Sequence, residues 1–426
     1  MLDLTVLLDD TDDVAKRLAT KGTDESVVFA ARDAVLARRA ARKELDDLRA
    51  EMNRRSKEVG RLMSTDPEAG KKVRAELAEL KVRLTERESA TREAEAHERE
   101  LMLGLPNLPS PHAPVGTDED ANVILGYRGG EAVPNPGARP HWEIATELNI
   151  FDPERAAKLS GSGFSLLRGD GARLLRALTQ FGLDLHRDEY EELFVPHFVR
   201  EDTMIGTGHL PKFKDDAYNT TLDNLWAIPT GEVPLTALHR DEVLDSADLP
   251  LKYMTCTACF RREAGSAGKD TRGMQRLHEF QKVELVHLCL PEQLDEQFEV
   301  LLANAEKSLR ALELPYRVVD LCTGDLTFSS ARIHDLEVYS PGVDKWLEVS
   351  SVGSFTDFQA RRSNIRYRPE AGRTAPVCTL NGSAVATPRL WAALIEHGQR
   401  PDGTVVLPEV LHPYLGKATL EANRRR

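Results

Sequence analysis

Apolar residues near the start of the chain recur in alternating steps of three and four. Leu45, Leu48, Met52, Val59 and Leu62 form one series, broken by Arg55, and Val73, Leu77, Leu80 and Leu84 form a second that continues to Ala94 and Leu101. Glu, Arg and Lys flank both series, which is the heptad pattern of helices packed along a narrow apolar seam. From about Ser26 to Met102 the only breakers are Pro67, Gly60 and Gly70. The run Ser64-Thr65-Asp66-Pro67-Glu68 reads as a turn that opens the second helix, with proline just inside it. The pattern predicts an antiparallel two-helix hairpin over about residues 26–102, each helix about 35 residues and roughly 50 Å long.

A different pattern begins past a linker marked by Gly104, Pro106, Pro109, Pro111, Pro114 and Gly116. Short strands and amphipathic helices follow. Ala172 to Phe181 is apolar at helical spacing, Phe194-Val195-Pro196 reads as a strand ending in proline, and Arg389 opens a helix over Leu390 to His397. The expected fold class is α+β, with a helical arm over residues 1–110 and a second domain over 111–426. There is no internal repeat and no low-complexity segment.

Hydrophobic content of 41% and charged content of 29% are those of an ordinary globular protein. No window approaches eighteen uninterrupted apolar residues, and the apolar run in MLDLTVLLDDTDD is too short for a signal peptide. The expected location is therefore cytoplasmic, with no membrane partner. Five cysteines are too scattered for a disulfide framework. Cys256 and Cys259 make a lone CxxC with no second ligand pair, so no zinc is expected.

The net charge of −13 argues against a polyanionic partner until its distribution is considered. Residues 32–74 hold 13 Lys/Arg and 8 Asp/Glu, a local excess of +5. Arg54, Arg55, Lys57, Arg61, Lys71, Lys72 and Arg74 cluster near the predicted tip. A structural or dimerising coiled coil explains the heptads alone; the cations point to a probe for nucleic-acid phosphates.

The densest chemistry runs from Cys259 to Glu284. Arg261, Arg262, Lys269, Arg272 and Arg276 precede a segment that reads as a strand, and Lys282 lies within it. Gly265, Gly268 and Gly273 would let the backbone approach a ligand closely. Such a strand–loop–strand unit can hold a nucleotide by its phosphates. Phe260-Arg261-Arg262-Glu263-Ala264-Gly265-Ser266, followed by Arg276-Leu277-His278-Glu279-Phe280-Gln281-Lys282-Val283-Glu284, resembles motif 2 of class II aminoacyl-tRNA synthetases in its seryl-tRNA synthetase form. Three further segments are similar to that family's pattern, in the same order. They are Ile228-Pro229-Thr230-Gly231-Glu232-Val233-Pro234, then Glu348-Val349-Ser350-Ser351 with Asp357-Phe358-Gln359-Ala360-Arg361-Arg362, then Asn381-Gly382-Ser383 with Arg389. The helix and strand before Pro196 resemble the degenerate motif 1.

The resemblance implies a class II catalytic domain with a mainly antiparallel sheet, and a reaction of L-serine with ATP to seryl-adenylate and pyrophosphate. Transfer to the 3′-terminal adenosine of tRNA(Ser) would follow, with tRNA(Sec) a further acceptor where a host has one. Arg261 would hold the α-phosphate and Arg389 the γ-phosphate of a bent ATP. Glu263 would meet the adenine amino group near the Leu277 backbone, and Arg262, Val349 and Ser350 would complete the ATP site. Glu348, assisted by Ser351, would hold Mg²⁺. Thr230, Gly231, Glu232, Glu284 and Ser383 would hold serine. Without the motif, Glu284 reads as a strand carboxylate paired with Lys282 or Arg276. A homodimer through the motif 1 region is implied, the arm of one chain serving the other's site.

Several residues depart from the family pattern. Glu279 stands for Gln, Gly231 for Ala, Val352-Gly353-Ser354 for Cys-Ser-Asn, and Pro388 for Gly. The departures raise the expectation of altered tolerance of serine analogues: Gly231 and Gly353 carry no larger side chain to crowd a modified substrate, and Val352 offsets that. They motivate one rival, a synthetase paralogue of a biosynthetic or antibiotic-resistance pathway; against a second, a non-catalytic tRNA-binding homologue, stand the intact Arg261, Glu263, Glu348 and Arg389.

Overall fold

The computed structural model describes residues 1–129, 137–264 and 272–422. It divides into two compact units, Met1–Pro106 and Asn107–Arg426.

Unit one is helical: α1 (Leu4–Asp9), α2 (Thr11–Ala19), α3 (Glu25–Thr65) and α4 (Pro67–Gly104). Asp3, Asp10, Asp24 and Asp66 cap the four N-termini, each accepting a hydrogen bond from a backbone N–H in the first turn. Asp66 also ends α3, so one residue makes the whole turn, with Pro67 at the first position of α4. At 41 and 38 residues the helices are longer than the heptads alone implied, because nothing breaks the chain between the caps. Leu45, Leu48, Val73 and Leu80 are buried in the seam. Arg38–Glu98, Arg49–Glu88 and Arg55–Glu76 bridge the helices at 2.6, 2.9 and 2.9 Å. As the first partner advances the second retreats, which fixes an antiparallel register. Gly70 packs closely against α3: a Cβ there would come within 2.8 Å of the Met63 sulfur.

Unit two is built on an eight-stranded sheet. In chain order its strands are β1 (Val123–Arg128), β2 (Glu191–Glu192), β3 (Leu251–Phe260), β4 (Glu279–Cys289), β5 (Tyr316–Asp320), β6 (Arg332–Ser340), β7 (Lys345–Ser354) and β8 (Cys378–Ala386). Their spatial order is β1-β5-β6-β7-β8-β4-β3-β2. Every pairing is antiparallel except β2 with β3. Helices α5 (Asp170–His186), α6 (Leu294–Ala311) and α7 (Thr387–Gly398) contribute Phe181, Phe298 and Trp391 to the main core, against Val283, Leu285, Leu336 and Leu380 of the strands. The fold is α+β, as expected.

Strand alternation then decides what faces away from that core. Lys282 and Glu284 alternate with Val283 and Leu285, and Asp335 and Glu337 with Leu336 and Val338. Two bulges change the phase. The β6–β7 register shifts between Glu348 and Ser350, which brings Glu348 to the same face as Ser351 and Gly353. The β8–β4 register shifts between Ser383 and Val385.

One expected strand is absent. Phe194–Pro196 is irregular, and the paired residues before it are Glu191 and Glu192. Pro196 has no N–H to donate to a ladder. Val195 is buried while Phe194 is almost fully exposed.

Candidate active site

The polar face of the sheet forms the floor of a groove of about 1010 Å³, large enough for two small ligands side by side. Strands β3 and β4 lead into and out of the cation-rich segment. Gly265, Ser266, Gly268 and Lys269 lie outside the described residues; Arg261, Glu263, Gln275, Arg276 and Leu277 line the groove. The Arg261 guanidinium lies 5.2 Å from the centre of the Phe280 ring, and its Nε donates to the Pro229 carbonyl at 3.4 Å. Arg276 donates to Glu263 at 3.0 Å. Glu263 itself has a positive φ of 52°, a rare backbone state outside glycine. From the opposite wall Arg389, near the start of α7, donates through Nε to the Gln275 carbonyl at 3.2 Å and through Nη1 to the Glu348 carbonyl at 2.5 Å. Two cationic forks thus bracket one polar space, a geometry suited to a polyanion.

A second cluster lies further along β4. Thr230 donates to Glu284 at 2.7 Å, and Lys282 forms an ion pair with the same carboxylate. The pairing of Glu284 with Lys282 and its place in the groove coexist, because residues two apart share a strand face. Gln359 donates to Glu232 at 2.7 Å and accepts from Thr379 at 2.7 Å. Burial, reinforced by the charge on Glu284, pushes the Glu232 carboxyl up to about 7. Asn381 and Ser383 of β8 complete this end. Glu348 and Ser351 line the wall of β7. Opposite Ser351 stands Asp335, whose carboxyl burial and Glu348 together raise well above the ordinary range.

Three expected site residues do not line the groove. Arg262 is exposed, with its backbone N–H donating to the Asp216 carbonyl at 2.9 Å. Ser350 is buried and donates to the Ser383 carbonyl at 2.7 Å, tying β7 to β8. Gly231 lies under the floor: a Cβ there would stand 2.7 Å from Thr255 Cγ2 and 3.1 Å from Glu284 Cβ. The space left by the missing methyl is therefore filled by Thr255. Similarly, a Cβ on Gly353 would come within 3.0 Å of the Phe355 ring, and one on Gly382 within 3.0 Å of Val352 Cγ2. The small residues give no enlarged pocket. On the arm, Arg54, Lys57, Arg61, Lys71, Lys72 and Arg74 are exposed; Arg55 is engaged with Glu76 and Lys71 with Glu68.

Residues that sequence reasoning left unassigned also line the groove: Gln275, Arg276, Asp335, Phe355 and Asn381. Asn381 sits in a motif in which only Ser383 and Arg389 carry an expected role. Asp335 and Phe355 have no signal in the sequence, since only the sheet pairing brings them here.

Comparison with known proteins then identifies the family. The family model described as the seryl-tRNA synthetase N-terminal domain matches residues 1–109, and that of the tRNA synthetase class II core domain (G, H, P, S and T) matches residues 213–398. The serine–tRNA ligase of Gemmatimonas aurantiaca is 47% identical over 426 residues, covering 99% of this chain and 100% of its own. The chain belongs to the seryl-tRNA synthetase family. Its activity is that of a serine–tRNA ligase, a class II aminoacyl-tRNA synthetase. The serine–tRNA ligase of Thermomicrobium roseum is 46% identical, covering 98% of this chain and 94% of its own. Among solved structures, the seryl-tRNA synthetase of Pyrococcus horikoshii complexed with ATP superposes with a TM-score of 0.92 at 34% identity, covering the whole of both chains. The cytoplasmic serine–tRNA ligase of Naegleria fowleri in complex with AMP gives 0.86 at 25% identity, covering 100% of this chain and 99% of its own. No helix among the described residues is long and apolar enough to cross a membrane.

Proposed function

We propose that the groove binds ATP between Arg261 and Arg389 and serine over Thr230, Glu232, Glu284 and Ser383, so that the serine carboxylate meets the α-phosphorus. A free α-carboxyl has a pKa of about 3.5, so the nucleophile is already ionised at neutral pH and no general base is required. The chain's contribution is alignment and positive charge aimed at the oxygens that gain charge as pyrophosphate leaves. Arg261 holds the α-phosphate in a bidentate grip and Arg389 the γ-phosphate. Glu263 accepts from the adenine amino group, with the Leu277 backbone beside it and Val349 completing the wall.

Serine brings an ammonium group and a hydroxyl. The ammonium suits Glu232 and Thr230; the hydroxyl finds hydrogen-bonding partners in Glu284 and Ser383. A site whose buried polar groups need the hydroxyl rejects alanine, because those groups are left unpaired without it. The reading that small residues widen the pocket finds no support in the packing of Thr255 and Phe355.

The oxygens of Glu348 and Ser351 are of the hard type that Mg²⁺ prefers. Asp335 opposite Ser351 leaves Oδ1 buried and without a hydrogen bond, which fits a cation nearby. Among the described residues no three His, Cys, Asp or Glu converge as a complete metal site. Held by Glu348 and Ser351, Mg²⁺ would supply neutralisation of phosphate charge.

The second step passes the seryl group to the terminal adenosine of tRNA(Ser), and we assign the arm's exposed cations to the tRNA backbone. A homodimer fits the exposed Phe194 of the motif 1 segment, with Phe198 and Leu222 exposed further along the chain. The observation that carries the reading is the convergence of Arg261 and Arg389 on a groove whose far end holds a buried carboxylate–hydroxyl cluster. Mass spectrometry of the chain incubated with serine and ATP tests it: an enzyme-bound seryl-adenylate is expected, and AMP release without serine dependence overturns it.

A further inference from the structure

Behind the groove, α7 carries a second functional-looking group two turns beyond Arg389. Glu396 is buried, yet its carboxylate accepts four hydrogen bonds. They come from the His141 backbone N–H at 3.0 Å, His141 Nδ1 at 2.7 Å, the Gly342 N–H at 3.1 Å and the Ser340 hydroxyl. Burial pushes this carboxyl up, but the bonds from His141 and Ser340 outweigh it and hold the group below the usual range. The carboxylate is a fixed, ionised anchor.

His141, fully buried, passes that anchor on. Its Nε2 accepts from the Met274 backbone N–H at 2.9 Å. An imidazole nitrogen that accepts carries no proton, so the proton is on Nδ1 and is donated to Glu396. The neighbouring residue is matched to the ring: Gly273 has a φ of +69°, and a Cβ there would stand 2.1 Å from His141 Nε2. The next residue, Gln275, accepts from Arg389 at 3.2 Å. One helix therefore grips the same short segment twice, directly through Arg389 and indirectly through Glu396 and His141. That segment continues into Arg276 and Leu277 on the groove wall.

We propose that Glu396 and His141 are positioning residues that fix Met274, and with it the wall formed by Gln275, Arg276 and Leu277, at the place where the nucleotide lies. The inference rests on the reading of that wall as the ATP side of the groove. Buried polar pairs cost desolvation and often stabilise less than apolar packing; here the pair supplies one directed hydrogen bond acceptor at one backbone N–H. Asparagine at 141 can still donate to Glu396 but is too short to reach Met274, whereas glutamine places an acceptor near the Nε2 position. Glu396→Gln sets its amide nitrogen against a backbone N–H whichever way it turns, that of His141 or that of Gly342, so the ring loses its fixed anchor.

Steady-state ATP–pyrophosphate exchange of the full chain separates the possibilities. His141→Asn and Glu396→Gln are expected to lower kcat/KM for ATP by about 10- to 100-fold, to leave KM for serine within about twofold, and His141→Gln is expected to recover most of the loss. Unchanged ATP parameters in His141→Asn, or equal losses toward ATP and serine in all three variants, overturn the proposal. If the variants do not fold, nitrogen NMR of the histidine rings in the unmodified chain decides. An Nδ1-protonated His141 whose Nε2 signal is that of an acceptor is expected, and an Nε2-protonated ring overturns the proposal. A wild-type chain without saturable ATP dependence would instead refute the groove's nucleotide reading.

Discussion

Glu232 is buried beside Glu284, and its carboxyl is raised from 4.5 to about 7 by burial first and by that neighbour second. Between those values the native state keeps a proton that the unfolded chain has released. The stability this group contributes is therefore complete below about pH 4.5 and lost as the pH rises to about 7. Melting curves without serine should show Glu232→Gln gaining on wild type across that window and no further above it. A serine ammonium needs the ionised form, so serine affinity should rise with pH toward a plateau above about 7 in wild type and stay flat in Glu232→Gln; titration calorimetry checks this. The Gly231–Thr255 contact gives a second prediction. Gly231→Ala should destabilise the fold by roughly 1–3 kcal/mol through overpacking. Thr255→Ala in the same chain should recover most of it, since the Thr255 hydroxyl is buried without a partner; denaturant titration of the double-mutant cycle measures both. At the phosphate end, Arg261→Ala should cut adenylate formation by about 10² or more. Lysine should rescue it only in part, because an ammonium cannot make the two parallel bonds. Exchange at wild-type rates in Arg261→Ala would remove that residue from the site.

At the scale of elements, adenylate chemistry and tRNA charging are expected to separate. All the proposed ligand groups for ATP and serine lie after Ile228, while the cation-rich hairpin ends at Gly104. Replacing residues 32–98 with a short Gly/Ser linker should leave serine-dependent exchange within a few-fold of wild type and reduce tRNA(Ser) charging by orders of magnitude. Charge reversal of Arg54, Lys57 and Arg61 should weaken tRNA binding. Every phosphate that the arm no longer neutralises should take about 0.7–0.9 off the log–log salt slope. Arg55 is the poorer choice, because it holds Glu76 across the hairpin. The hairpin is legible in the sequence because heptads and caps are local signals. The segments around Arg261, Glu348 and Ser383 are legible because each is a contiguous motif. What escapes is what only the sheet brings together: Asp335 is placed by its pairing with Ser351, and the Glu396–His141 bond spans 255 positions. A strand over Phe194–Pro196 is a false expectation because the apolar run there outweighs, on pattern alone, the missing proline N–H. Gly231 and Gly353 read as open space because their fillers, Thr255 and Phe355, are unmarked in the sequence.

For the molecule as a whole, Phe194 and Leu222 are almost fully exposed and Phe198 about half exposed. The proposed homodimer would cover side chains of this size. Sedimentation equilibrium should give the mass of a dimer, and Phe194→Glu with Phe198→Glu should shift it toward the monomer. Exchange activity of the separated chains should fall less than tRNA charging if the arm of one chain serves the site of the other.

The central claim is that one groove joins serine to ATP, and pyrophosphate exchange measured separately with Ser, Thr, Ala, Gly and Cys tests it most directly. Robust exchange is expected with serine alone, with alanine lower by about 10⁴-fold because the buried partners of the hydroxyl go unpaired. Exchange supported equally by alanine and serine, or absent with serine, would contradict the assignment of Thr230, Glu232, Glu284 and Ser383 to the amino acid.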